Sequence, residues 1–376
     1  MISNQGAVSR DSRPSNDVYR QIDPVGFYGK FLRQGIRPDG RKLNAFRKVG
    51  VFDLLEGNHG SFQRQEQDEV IISSCRLTAG ETHMHCVVTA VPTFYDLPIE
   101  LTSEGDDVVS VEIDLPKQVQ PYIYDANGHC ANLNFCVSAM LANAFNSGNV
   151  LPTAQLRLAE LLMNPVAGVA SDLVSEYLVK RRFSWKLDVN VVCEEYDGNL
   201  VDTSVLATAF ALRKAWLPII LVDLNESLGS YEIRFLDREL LDLACSNDRM
   251  VLKLLQNNRI SISKQLGMEL VEESMVQHLV NHFRTTVCVG RPLHVLALPY
   301  TVTFLKYDEQ TFLVDPTKEE EKLGSSVSIY SLRRLDGSSS TQQLNLMSCS
   351  GITNDVLDSL ERVATHIINY IANTEY

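Results

Sequence analysis

Basic residues are the scarcer charge in this chain. Lys and Arg total 34 against 47 Asp and Glu, so the 376 residues carry a formal charge of −13, which counts against a protein that grips nucleic acid with its whole surface. Long apolar runs are missing too. Nothing approaches the roughly 18 uninterrupted apolar residues of a membrane-spanning helix, so a soluble chain with no membrane partner is expected. The polar segment 1–17 lacks the apolar core of a secretory signal, which points to cytosol or nucleus. None of the eight cysteines stands in a Cys-x-x-Cys pair, so most are read as small buried residues in a reducing compartment. Internal repeats, low-complexity tracts and a Ser-His-Asp or Cys-His spacing for nucleophilic catalysis are absent from the sequence as well.

What is present is an ordinary globular composition, 45% hydrophobic and 22% charged, long enough for two packed lobes. Residues 1–17 are too polar to offset the cost of ordering and are expected as a flexible tail. The 18–34 stretch reads as a helical lead-in broken by Pro24 and halted by Gly35. Short β-branched runs predict strands over 69–74, 82–91, 107–115, 186–193, 293–306, 311–314 and 326–333. Helical spacing predicts helices over 132–146, 202–216 and 353–373, the second opened by Asp202 as N-cap and stopped by Pro218. Strands interrupted by a few amphipathic helices, without βαβ alternation, give an α+β chain of two sheet-and-helix lobes.

Several residues have types suited to chemistry. His278 and His282 lie four apart, the spacing of a zinc pair, but within an amphipathic segment that reads as two partly exposed histidines beside a packing stripe. His83, His85 and Cys86 share a strand and lack a fourth ligand. The run Lys318-Glu319-Glu320-Glu321-Lys322 offers carboxylates but reads as a solvated turn. In Arg37-Pro38-Asp39-Gly40-Arg41, Pro and Asp-Gly set a tight turn expected to present both arginines at its rim.

The stretch from Phe31 to Arg47, which contains that turn, resembles the opening of the RNase PH family as found in the RNA exosome. Two later blocks follow in order. Glu195-Tyr196-Asp197-Gly198-Asn199-Leu200-Val201-Asp202, leading into a helix ended by Leu217-Pro218, is similar to the strand, turn and helix at the middle of that fold. Phe312-Leu313-Val314-Asp315-Pro316-Thr317, continuing to Glu321, is similar to its later hairpin. The resemblance implies an RNase PH fold, with a first lobe over 18–224, a helical insertion over 225–286 and a second lobe over 287–376 that ends in an amphipathic helix. The stretches 149–182 and 225–286 are longer than the family's usual connections.

The likeness is to the non-catalytic ring subunits. Active members hold phosphate with Gly, Ser, Thr or Arg before the central helix, whereas here Asn199, Leu200 and Val201 stand there and Asp202 follows, a carboxylate that repels phosphate. Asp315 and Glu321 match the paired acids of active relatives, as a vestigial pair. Arg37, Pro38, Asp39, Gly40, Arg41, Asp197, Gly198, Asn199 and Asp202 are then structural motif residues, with no catalytic, cofactor or metal site. The implied role is a structural subunit of the exosome ring that frames a channel for RNA in rRNA maturation and mRNA turnover. Its implied partners are other RNase PH-like ring subunits, RNA-binding cap subunits, an associated catalytic ribonuclease and the passing RNA, in nucleus, nucleolus and cytoplasm. The rivals are an active phosphate-dependent 3′-to-5′ exoribonuclease and a free-standing RNA-binding protein. The segment after Leu115 lacks the arginines with which ring partners touch RNA.

Overall fold

The computed structural model describes residues 16–55, 69–95, 108–115, 129–156, 182–225, 230–284, 289–335, 342–343 and 352–373. The expected tail lies outside these up to residue 15, and Asn16 and Asp17 already belong to a helix, Asn16–Ile22. A second helix, Pro24–Leu32, follows at once. Pro24 occupies its first turn and the Asp23 side chain accepts from Gly26 N, so the proline opens a helix instead of breaking one.

The first sheet has five strands in the order β1 (Val49–Asp53), β2 (Val70–Ala79), β3 (Thr82–Tyr95), β5 (Arg182–Glu195) and β4 (Val109–Asp114). Only β4 joins in parallel. Along β3 the residues from Thr82 to Ala90 alternate strictly, with Thr82, Met84, Cys86, Val88 and Ala90 buried and His83, His85, Val87 and Thr89 on the other face. The β2–β3 connection is a tight turn in which Gly80 has φ +61°.

Two short strands, β6 (Trp216–Pro218) and β9 (Gly290–Pro292), pair with each other, and β7 (Ile220–Asn225) forms a hairpin with β8 (Ser230–Phe235). The second sheet runs β11 (Phe312–Val314), β10 (Ala297–Lys306), β12 (Ser325–Arg334), β13 (Gln342–Gln343). Between the two large sheets lies the central helix, Leu200–Lys214, packed against β10 on one side and β2 and β3 on the other. It is buried almost all round, because a helix sandwiched between sheets has no solvent face. One apolar core therefore runs through both sheets, and the C-terminal helix Asn354–Asn373 closes it over β10 with Leu360, Ala364, Ile367, Ile368 and Ile371.

The stretch expected as a helical insertion carries four short helices, Arg238–Cys245, Arg249–Asn257, Arg259–Leu266 and Met275–Phe283. They gather an apolar cluster of their own around Leu241, Leu255, Ile262 and Leu279, which also takes in Ile219, Leu221 and Leu236. The boundary expected at 224/225 falls inside β7, so the hairpin joins this unit to the main core. Side-chain amides make that joint. Gln265 accepts from Ile220 N and donates to Ile220 O, each at 2.9 Å, while Asn258 does the same for Val222 at 2.8 and 2.9 Å. Each amide thus does for the edge of β7 what a neighbouring strand would do.

Two other strand edges are closed comparably. Asn146, the last residue of helix His129–Asn146, accepts from Val108 N and Val109 N and donates to Val109 O at the outer edge of β4. On β11, Val314 N donates to Leu43 O and Val314 O accepts from Arg37. Among the described cysteines Cys75, Cys86 and Cys193 are buried, as expected, with burial pushing the Cys193 thiol up to about 12, whereas Cys136 and Cys245 are exposed.

Candidate functional site

The motif residues converge where the turn before the central helix meets the loop after β11. Gly198 makes this possible. Its φ is +93°, and a Cβ there would stand 2.4 Å from Lys318 N and 2.6 Å from Pro316 O, so only glycine lets the two loops touch. Lys318 N donates to Asp197 O across the contact.

Asn199 caps the central helix in a left-handed conformation (φ 60°), its side-chain oxygen accepting from Asp202 N. Its amide NH₂ donates to Asp202 Oδ2 at 2.8 Å and to Asp315 Oδ1 at 2.7 Å. Asp202 is consequently not the cap that the sequence suggests. It sits inside the first turn, fully buried, where its two carboxylate oxygens accept from Thr303 N and Thr303 Oγ1 at 2.8 Å and so tie the helix to β10. Burial pushes its carboxyl above the ordinary range, against the hydrogen bonds from Asn199 and Thr303.

Arg37 is likewise displaced from its expected place at the rim of a turn. It is 1% exposed, forms a two-pronged ion pair with Glu320 and donates to Val314 O and Asp315 O. The turn itself forms as expected, with Gly40 at φ +85°. Arg41 donates to Asp39 at the surface and to Asp315 Oδ2 at 3.1 Å inside.

Arg47 completes the cluster. Its backbone and Nε both donate to Asp315 Oδ2, Nη2 donates to Asp315 Oδ1 and Gly198 O, and Nη1 donates to Asp197 O. Burial opposes the Arg47 charge, but the hydrogen bonds and attraction of Asp315 outweigh it and hold the guanidinium more firmly protonated than usual. Burial also opposes ionisation of Asp315, yet the bonds from Arg47 and Asn199 prevail and its carboxyl sits below the ordinary range. Asp315 itself takes φ +50°, a strained backbone that these contacts hold in place.

Glu321, the other expected acid, reaches the same point from the opposite side. Its carboxylate accepts from Asn199 N at 2.8 Å and from Tyr196 OH at 2.6 Å, and burial raises its pKa. The two acids thus meet at Asn199, one on its side chain and one on its main chain. The N-terminus of the central helix, where an anion would sit, faces a carboxylate of the chain itself. Leu200 and Val201 beside it are buried and present no hydroxyl.

Glu320 and Tyr196 were not singled out by the residue pattern. The 318–322 run reads as a solvated turn, yet Glu320 is 1% exposed. Three arginines within 37–47 of an acidic chain were the available signal, since buried guanidinium groups need carboxylates to face them. The histidines form no centre. His278 and His282 are exposed on Met275–Phe283, while His83 lies 3.3 Å from Glu195 and His85 bonds Ser74. Among the described residues no group of three or more His, Cys, Asp or Glu is arranged to hold a metal ion. A cleft of about 800 Å³ opens over the cluster, lined by Arg20, Tyr28, Arg47, Glu81, Asp197 and Lys318 among others.

The fold and the cluster can be set beside known proteins. Residues 58–218 match the family model "3' exoribonuclease family, domain 1", and residues 297–365 match "3' exoribonuclease family, domain 2". The two matches together span more than half of the sequence, and the chain belongs to this RNase PH family. One relative, the exosome complex component rrp43 of Schizosaccharomyces pombe, is 22% identical over 207 residues, which are 55% of this chain and 62% of that protein. Among solved structures, a chain of the Archaeoglobus fulgidus exosome with RNA bound to the active site superimposes with a TM-score of 0.53 at 16% identity, over 95% of this chain and 98% of that one. A chain of an archaeal exosome core gives 0.49, also at 16% identity, over 96% and 98%. At 16% identity the first of these superpositions shows a shared fold.

Proposed function

We propose that the chain is a non-catalytic, structural subunit of an exosome-type ring that frames the channel for RNA during 3′-to-5′ processing and degradation. The observation that carries this reading is the closure of the helix N-terminus by Glu321, with Asn199, Leu200 and Val201 where phosphate-binding hydroxyls would be needed. A phosphorolytic enzyme must seat inorganic phosphate close to its acids, and here Asp315 is neutralised by Arg47 and Arg41 while Glu321 is spent on the helix. Arg37, Pro38, Asp39, Gly40, Arg41, Asp197, Gly198, Asn199 and Asp202 serve as scaffold on this reading, and Asp315 and Glu321 as a pair of acids turned to structural use.

The partners are other RNase PH-like ring subunits, RNA-binding cap subunits, an associated catalytic ribonuclease and RNA in the channel. On this reading it acts on ribosomal and messenger RNA and belongs to nucleus, nucleolus and cytoplasm. The relative's name, exosome complex component rrp43, supports the assembly. The test is incubation of purified full-length protein with labelled RNA and phosphate. No release of nucleoside diphosphates is expected, and phosphate-dependent release would replace the scaffold with an active exoribonuclease. A second arm isolates the tagged chain from cells, where co-purification with ring and cap proteins is expected and recovery as a free single chain overturns the reading.

A further inference from the structure

The charge of this acidic chain is unevenly spread. The stretch 16–48 carries eight Lys and Arg against three Asp and Glu, within a sequence of formal charge −13. Arg37, Arg41 and Arg47 face Glu320 and Asp315 inside, while Lys30, Arg33, Lys42 and Lys48 are exposed. At this basic pole a groove of about 400 Å³ lies between the helices Asn16–Ile22 and Pro24–Leu32 and the segment 319–323. Its apolar lining is Pro24, Val25 and Leu323, and Val25 is 55% exposed. Ile22, between the two helices, is 76% exposed. Its cations are Arg20 and Lys322. Arg20 joins Glu319 through Nε and Nη2, and Tyr28 OH donates to the same Glu319 oxygen at 2.9 Å. Glu319 is the one acid lining the groove, since Glu320 and Glu321 are held inside by Arg37 and Asn199, and Asp23 caps its own helix. Glu319 answers Arg20 alone. Arg20 Nη1 and Lys322 Nζ have no acceptor among the described residues.

We propose that this groove binds a short acidic segment of a partner protein, seating an apolar side chain against Pro24, Val25 and Leu323 and a carboxylate on Arg20 and Lys322. Exposed apolar residues rimmed by cations are the complement of such a segment, and the basic pole steers it there. The Arg20 and Glu319 side chains remain 42% and 45% exposed, and a pair so open to water is weak, so sharing Arg20 with an incoming carboxylate costs little. RNA fits the same place poorly. Single strands bind on exposed aromatic rings, whereas the one aromatic residue lining the groove, Tyr28, is buried. Arg20, Tyr28, Glu319 and Lys322 also line the cleft over the charged cluster, where a phosphate backbone running on would meet Glu81, Glu195 and Asp197. The inference goes beyond the ring reading, which assigns no groove to any partner.

The test screens a library of short random peptides against the full-length chain and measures the selected ones by fluorescence anisotropy. Selected sequences are expected to join Asp or Glu to Leu, Ile, Val or Phe. Lys322→Glu and Val25→Ser should each weaken them by about tenfold or more, and Lys322→Arg, which keeps the charge, should retain them. These changes fall on exposed side chains, so the melting temperature should hold, and a variant that loses it leaves the other to decide. Selection of basic or purely polar peptides, selection of none, or equal binding by Lys322→Glu overturns the proposal. A labelled oligouridylate that binds wild type and is lost with Lys322→Glu gives the groove to RNA, and a dimer lost with the same change gives it to a second copy of the chain. Either result overturns the choice of occupant. Release of nucleoside diphosphates in the phosphate assay would sink the scaffold reading and leave the peptide result as it stands.

Discussion

Asp315 is fully buried with a strained backbone, and its charge persists because Arg47, Arg41 and Asn199 converge on it. Arg47→Met should therefore destabilise the protein by about 3–5 kcal/mol in a denaturant titration, because it strands a buried carboxylate. Removing both charges with Arg47→Met and Asp315→Leu should cost less than the two single effects added together. The pH dependence has a definite sign. The Asp315 carboxyl is lower in the folded state than its unfolded value near 3.9, so its contribution is complete above about pH 4 and fades as pH falls through the folded value. Thermal melts of wild type should show that acid limb, and melts of Asp315→Asn should show a shallower one. Asn199 yields a ranking. Asn199→Ala loses the cap, about 0.5–2 kcal/mol, and forces a Cβ residue into a left-handed conformation, whereas Asn199→Gly is spared the second cost. Asp202 was legible as a residue near the start of a helix, but not as its tie to Thr303, because a partner 101 residues away leaves no trace in local spacing.

At the scale of elements, long strands and helices with clear periods were readable, as was the short β11 expected over 311–314, but most other short strands were not. The helix expected over 353–373 spans Asn354–Asn373, and the strand expected over 82–91 extends to Tyr95. By contrast β6, β7, β8 and β9 went unread, since Trp216–Pro218 and Gly290–Pro292 are too short for a period and Ile220–Asn225 is mostly continuous apolar sequence. At Gly198 the turn meets the 316–318 loop backbone to backbone. Gly198→Ala is expected to lower the melting temperature severely and to free the 317–322 loop, seen as faster amide exchange at Lys318, whose N–H bonds Asp197 O. An alanine at Gly267, also left-handed but with open space around it, should cost only the backbone strain of about 1–2 kcal/mol.

For the whole molecule, two apolar clusters meet along one hairpin, and this predicts uneven cooperativity. Leu255→Ala in the helical unit should cost about 2–5 kcal/mol locally and appear in native-state exchange as early opening of residues 238–283, ahead of the main core. A single transition involving all protected amides at once would show that the hairpin transmits the loss. Length and composition made two lobes legible and the order of strands and helices an α+β class, but the sharing of one central helix by both sheets appears only in three dimensions. The closed cluster at the start of that helix also bears on descent. Asn199 bonds Asp202, Asp315 and Glu321 together, so altering any one of the four leaves a buried polar group unmatched. On the non-catalytic reading proposed above, a return to anion binding passes only through less stable intermediates, which makes the closure an evolutionary ratchet.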